Sequence, residues 1–197
     1  MLLNNLDFNT NELLGIQIGK SLKKQELRLI ERKHRLRVVP EKLFFDYYYL
    51  IFEEKKNEEL LQDTSKWNIL TKQQRAVLLL GFFYQKIKDF DIWYFCCHFP
   101  NLLDALEKAI QFVQTISFSF CSVREDFIKK TDKCRTKEDF RNLYDIDFHD
   151  REMKVYHKFN SNFQKSSYRN FFIQDLNKFL KENLHKIAKI EERIPIL

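Results

Sequence analysis

Glycine is nearly absent from this sequence: three residues, Gly15, Gly19 and Gly81, serve a chain of 197. Loops that cradle phosphate need glycine for close backbone approach and positive φ. Three scattered glycines build neither a G-x-G-x-x-G turn nor a P-loop, which argues against an ordinary nucleotide-binding α/β enzyme. Nucleophile-elbow serines are excluded on the same ground, because that turn has glycine on both sides. A lone S-x-x-K in "KSLKK" lacks its usual companions. Proline is equally scarce, with three residues. Long apolar runs are missing too. The longest, "AVLLLGFFY" from Ala76 to Tyr84, is about half of the ~20 residues a membrane span needs. The opening "MLLNNLDFNTNELL" has no basic region leading into an apolar core and a small-residue cleavage site, so a cytoplasmic protein is expected. Its four cysteines, Cys96, Cys97, Cys121 and Cys134, are then expected to be free thiols.

What the chain has in abundance is apolar and charged side chains, at 44% and 31%. That balance suits a globular protein able to bury a core without staples. Helical spacing dominates. Pro40 fits the first turn of a helix through "PEKLFFDYYYLIF", with Leu43, Tyr47, Leu50, Ile51 and Phe52 in register. Thr71 opens a capping box, "TKQQ", before a helix apolar almost all round. "PNLLDALEKAIQFVQTI" is amphipathic. "SVRED" at Ser122 and "TKED" at Thr136 each predict a helix start. Asp147 or Asp150 caps another helix, and "SSYRNFFIQDLNKFLKENLHKIAKIEE" reads as one long final helix. The N-terminal segment is ambiguous. Leu22, Leu29 and Leu36 recur every seven residues as on one helical face, yet "LRLIERKHRLRVV" also reads as two strands around a turn; helix is favoured. The expected architecture is an all-α, single-domain multi-helix bundle over residues 40–197, preceded by a basic segment, 1–39.

The net charge of +6 has an address: nine Lys and Arg stand against three Glu between Lys20 and Lys42. Lys23, Lys24, Arg28, Arg32, Lys33, Arg35 and Arg37 are candidates for phosphate contacts, which makes nucleic-acid binding the alternative function. A solvated basic face explains the same residues, and no zinc finger, RNP strand or helix-turn-helix signature accompanies them.

Three residues invite chemistry directly: Cys96, Cys97 and His98. Adjacent helical residues point about 100° apart, a poor arrangement for two thiolates on one zinc ion, for which C-x-x-C spacing is usual. The flanking Trp93, Tyr94, Phe95 and Phe99 argue for a packed helix instead, where cysteine acts as a small hydrophobe. A metal phosphohydrolase order can be traced through His98, His149, Asp150 and Asp175, but Asp-rich "YDIDFHDRE" is equally a turn rich in caps. No catalytic residue, metal or cofactor is expected.

The order of elements from Leu70 to Ile187 resembles a family of small bacterial all-helical proteins typified by a DNA mimic that binds a transcriptional regulator. The matching stretches are "LTKQQRAVLLLGFFYQKI", "KDFDIWYFCCHFP", "NLLDALEKAIQFVQTI" and "YDIDFHD", followed by a last helix with a tyrosine near its start. The family carries Asn-Gly-Gly-Phe before its aromatic helix; here Asp89 to Ile92 read "DFDI". DNA mimicry calls for an acidic surface, and this chain is net basic. The resemblance therefore implies a helical fold and a protein-binding habit, as an immunity or regulator-sequestering factor acting on a toxin or regulator. Asp89, Asp91, Trp93 and Tyr94 around the altered turn are the candidate partner-binding residues, and an exposed aromatic patch is the feature to look for.

Overall fold

The computed structural model describes residues 22–34, 40–52, 61, 67, 70–146, 150–188 and 190–191. The protein is all-α and multi-helical. Among the described residues the helices with defined bounds are α1 (Lys24–His34), α2 (Pro40–Ile51), α3 (Lys72–Asp89), α4 (Ile92–His98), α5 (Leu103–Val113), α6 (Ser117–Lys130), α7 (Lys137–Asn142), α8 (Asp150–Gln164), α9 (Ser166–Glu182) and α10 (Leu184–Ile187). A 3-10 turn, Pro100–Leu102, leads into α5. Two-residue strands β1 (Leu22–Lys23) and β2 (Ile190–Glu191) pair in parallel, Leu22 opposite Ile190. The described residues fall into two compact units, one spanning Phe82–Phe172, the other made of those up to Gly81 and those from Ile173 onward.

In the second unit, α1 is a helix and packs on α2, which decides the N-terminal ambiguity for its described part. The heptad face is not the buried one: Leu27 points inward, whereas Leu29 is 64% exposed. Spacing aligns side chains on a face, but which face is covered depends on the neighbouring helix. On α2, Leu43, Phe44, Tyr47, Tyr48 and Ile51 are buried. The Thr71 box forms as the sequence predicts. The Gln74 N–H donates to Thr71 Oγ1 at 3.1 Å, and the Thr71 N–H donates to Gln74 Oε1 at 2.9 Å. Both side chains also reach the chain near α10. Gln74 Nε2 donates to the Ile187 carbonyl at 2.7 Å, and the Thr71 hydroxyl to that of Lys186 at 3.1 Å. One local signal thus also ties the C-terminal turn to the start of α3, satisfying buried polar atoms that would otherwise cost about 1–3 kcal/mol each. Asn177 Nδ2 closes a similar link to the Pro40 carbonyl at 2.8 Å.

The first unit is an aromatic core. Phe83 of α3 meets Phe95 edge-on at 5.0 Å and Phe120 at 5.7 Å, and Tyr84 lies parallel to Phe172 at 5.8 Å. Helix α5 stops at Gln114, whose φ of 59° is left-handed and whose N–H bonds back to the α5 carbonyls. The chain then re-enters helix at Ser117, so Ser122 lies inside α6 rather than at its start. The "SVRE" pattern is a real capping pattern in the wrong place: the left-handed residue upstream ends the previous helix earlier, and α6 is already running when the chain reaches Ser122. At Thr136 the predicted box does form, with Asp139 returning the bond to the Thr136 N–H at 2.7 Å. The long final helix is interrupted at Asn183, whose side-chain amide donates to the Phe179 carbonyl at 2.9 Å, separating α9 from α10.

Candidate functional site

The site begins where α3 ends. Phe90 still donates its N–H to the Lys86 carbonyl at 2.9 Å, as a last helical turn does. Asp91 then turns to extended backbone, φ −151° and ψ 176°, and caps α4 by accepting the Tyr94 N–H on Oδ1 at 2.6 Å. A side-chain cap of this kind needs no positive φ. The Ile92 N–H, a second orphan of this helix start, donates to Asn160 Oδ1 on α8 at 3.1 Å. The turn is therefore held from both sides.

Holding the turn aligns three rings. Tyr94 and His98, four apart on α4, lie one above another, and the Asp91 turn brings Phe90, which precedes the helix, onto the end of the same column. Phe90 and Tyr94 stack at 4.1 Å with an interplanar angle of 12°, and Tyr94 and His98 at 3.9 Å and 19°. His98 Nδ1 lies 3.0 Å from the Tyr94 carbonyl. A carbonyl only accepts, so Nδ1 carries a proton and the ring is locked in place. Tyr144, in the turns after α7, flanks the column nearly at right angles, 5.5 Å from Tyr94 and 5.4 Å from His98. Phe90 is 49% exposed and Tyr144 39%. Together they form an exposed, pre-ordered aromatic face.

Burial first, then the Asp91 carboxylate, raises the Tyr144 phenol above its ordinary value; Tyr94, Cys97 and, least, Asp145 add to the effect. Asp89 and Asp145 are exposed, and Asp91 half so. These three carboxylates stand on a chain that is net basic.

The opposite face of α4 is core. Trp93 is 5% exposed and packs edge-on against Tyr156 at 4.8 Å and Phe127 at 5.7 Å. Of the four candidate partner-binding residues, Trp93 is therefore turned inward, while Asp89, Asp91 and Tyr94 lie at the aromatic face. Tyr48 and Trp67 are likewise buried and contribute no surface patch. Cys96 and Cys97 are buried, as their aromatic neighbours imply. Burial pushes both thiols well above their ordinary value, and nearby carboxylates push them further. Neither offers a thiolate near neutral pH, which a nucleophile or metal ligand requires. Labelling native protein with a water-soluble thiol reagent at pH 8 should accordingly modify Cys121 and Cys134, which are partly exposed, and leave Cys96 and Cys97 intact. Fast labelling of all four would contradict this packing.

His149 lies outside the described residues, as do the side chain of Asp150 and all of Arg35 and Arg37. Asp175 is on α9 in the second unit. Among the described residues, no group of three or more His, Cys, Asp or Glu is placed to hold a metal ion. Lys23 and Lys24 are described in backbone only, while Arg28 and Arg32 are exposed one turn apart on α1 with Glu31 beside them. No helix among the described residues is long and apolar enough to cross a membrane.

Sequence reasoning missed Phe90, His98 and Tyr144 as parts of one surface. The four-residue spacing of 90, 94 and 98 was visible in the chain; the approach of Tyr144 was not. No family model, curated protein or solved structure matches this chain. The likeness to the DNA-mimic-type family rests on the sequence pattern alone.

Proposed function

We propose that this protein is a non-catalytic binding protein that recognises another protein through the aromatic face of Phe90, Tyr94, His98 and Tyr144, as an immunity factor or a factor that sequesters a regulator. The reading places it in the cytoplasm, in keeping with four free cysteines. The single observation that carries it is the exposure of an ordered ring column. Leaving aromatic surface in water forgoes burial worth about 1.5–3 kcal/mol for a fully buried Phe-sized side chain. Contiguous surface of this kind is characteristic of interaction sites, where Tyr and Phe are enriched. The rings are also held in advance by the Asp91 cap and the His98 hydrogen bond, so little ordering entropy is lost on docking.

Site-specific photo-crosslinking in the native cell tests this. A benzophenone side chain at position 90 should yield one discrete protein adduct, and the same group at position 171, where Phe171 is 66% exposed, should not. The adduct should disappear when Tyr94 and Tyr144 are both replaced by Ser. Adducts of equal yield from both positions, or none from position 90, would refute the reading.

A further inference from the structure

The stacked column ends at Phe90. Among the described residues Phe90 has one aromatic partner, Tyr94, which covers one of its faces. Phe90 nonetheless remains 49% exposed. Asp89 and Asp91 are its immediate chain neighbours, and Asp145 adjoins Tyr144. Asp89 and Asp145 are exposed and have no ion-pair partner among the described residues. Lys88, the nearest base before Phe90, is engaged within the protein. Arg141, exposed, lies in the last turn of α7.

Electron-rich ring faces beside uncompensated carboxylates are complementary to a cation. Planarity narrows the choice. Three rings already lie within 12° and 19° of parallel. A guanidinium is planar, weakly hydrated and able to stack, and its fork of N–H donors matches a carboxylate beside the stack; an ammonium does neither. A nucleobase would also stack, but its phosphate would meet Asp89, Asp91 and Asp145. We infer that the open face of Phe90, flanked by Asp89 and Asp91, receives an arginine side chain of the partner protein, so that the guanidinium becomes the fourth member of the stack Phe90–Tyr94–His98. The inference rests on the protein-binding reading above and names the chemistry of the partner.

The test uses the full chain, labelled with nitrogen-15. It is titrated with the peptide acetyl-Gly-Arg-Gly-Arg-Gly-amide, with its citrulline counterpart, which keeps the shape and loses the charge, and with a short uridine oligonucleotide. The arginine peptide should shift the amides of residues 89–92, Tyr94, His98 and Tyr144. The citrulline peptide should bind about two- to fivefold more weakly, the range for one exposed cation–ring contact, and Phe90→Ala should lose a similar factor. Asp89→Asn with Asp91→Asn should weaken the arginine peptide alone, because Asn caps α4 about as well as Asp. Equal binding of the two peptides, shifts confined to other surfaces, or preferential binding of the oligonucleotide at this face would overturn the inference. A crosslinked partner at position 90 without arginine discrimination would remove the arginine and keep the docking face. Arginine discrimination without any crosslinked partner would remove the cellular reading instead.

Discussion

Trp93→Ala should strongly destabilise this protein. The indole is 5% exposed and sits edge-on to Tyr156 at 4.8 Å and Phe127 at 5.7 Å. Truncating a buried Trp costs about 3–5 kcal/mol, made of lost transfer free energy and the cavity left behind. For a chain of this size, each kcal/mol moves Tm by roughly 2–4 °C, so a fall on the order of 10 °C is expected by differential scanning calorimetry. The neighbouring Tyr94→Ala removes a half-exposed ring and its stacking, worth about 0.5–1.5 kcal/mol per ring pair, and should lower Tm much less while weakening partner capture. Adjacent residues thus separate stability from binding. A Trp93→Ala protein with unchanged Tm and lost binding would place the indole on the surface and reverse this assignment.

The second large effect belongs to Gly81. A Cβ built on it would lie 2.4 Å from Tyr48 Cε2 and 2.7 Å from Cδ2, closer than side chains pack. The Tyr48 ring has little room to retreat. It is 2% exposed, contacts Phe44, Phe45, Tyr49 and Phe52, and donates its hydroxyl to the Leu78 carbonyl at 3.2 Å. In an open helix Gly→Ala would stabilise by about 1 kcal/mol. Here overpacking, typically about 1–3 kcal/mol, opposes and outweighs that gain because the obstacle is a boxed-in ring rather than a flexible tip. Gly81→Ala should therefore lower Tm by several degrees, and Gly81→Val by more. Tyr48→Leu should be partly rescued by Gly81→Ala, since the smaller side chain vacates the space the methyl needs. A raised Tm in the Gly81→Ala single variant would show that propensity wins and that the contact is looser than described.

These two positions also show how far local signals reach. The capping boxes at Thr71 and Thr136 were readable because a hydroxyl and a carboxylate or amide three residues on satisfy each other without distant help. The same grammar at Ser122 failed, because a cap matters only where a helix begins, and Gln114 had already set that point by turning left-handed. The heptad of Leu22, Leu29 and Leu36 marked a helix and not its buried side, since Leu29 faces out once α1 lies on α2. Trp93 was a partner-binding candidate by its place beside the turn as well as a sign of a packed helix, and the second reading is the one the structure bears out: a seven-residue helix has room for a core face and an exposed face, and one residue of rotation puts Trp93 on the first and Tyr94 on the second.

The sequence by itself determined the all-α class, through sustained 3.6-residue spacing and the scarcity of glycine and proline. It determined as well that no G-x-G-x-x-G or P-loop motif is present and that Cys96 and Cys97 belong to a packed helix. Only the tertiary structure decided what the stretch around them presents to solvent. Periodicity specifies which side chains share a face, while the partner that covers a face is chosen by packing between elements distant in the chain. Phe127 and Tyr156 cover Trp93, whereas Tyr144 comes alongside Tyr94 and His98 without covering Phe90, and that difference leaves an ordered aromatic face beside three carboxylates on an otherwise basic chain.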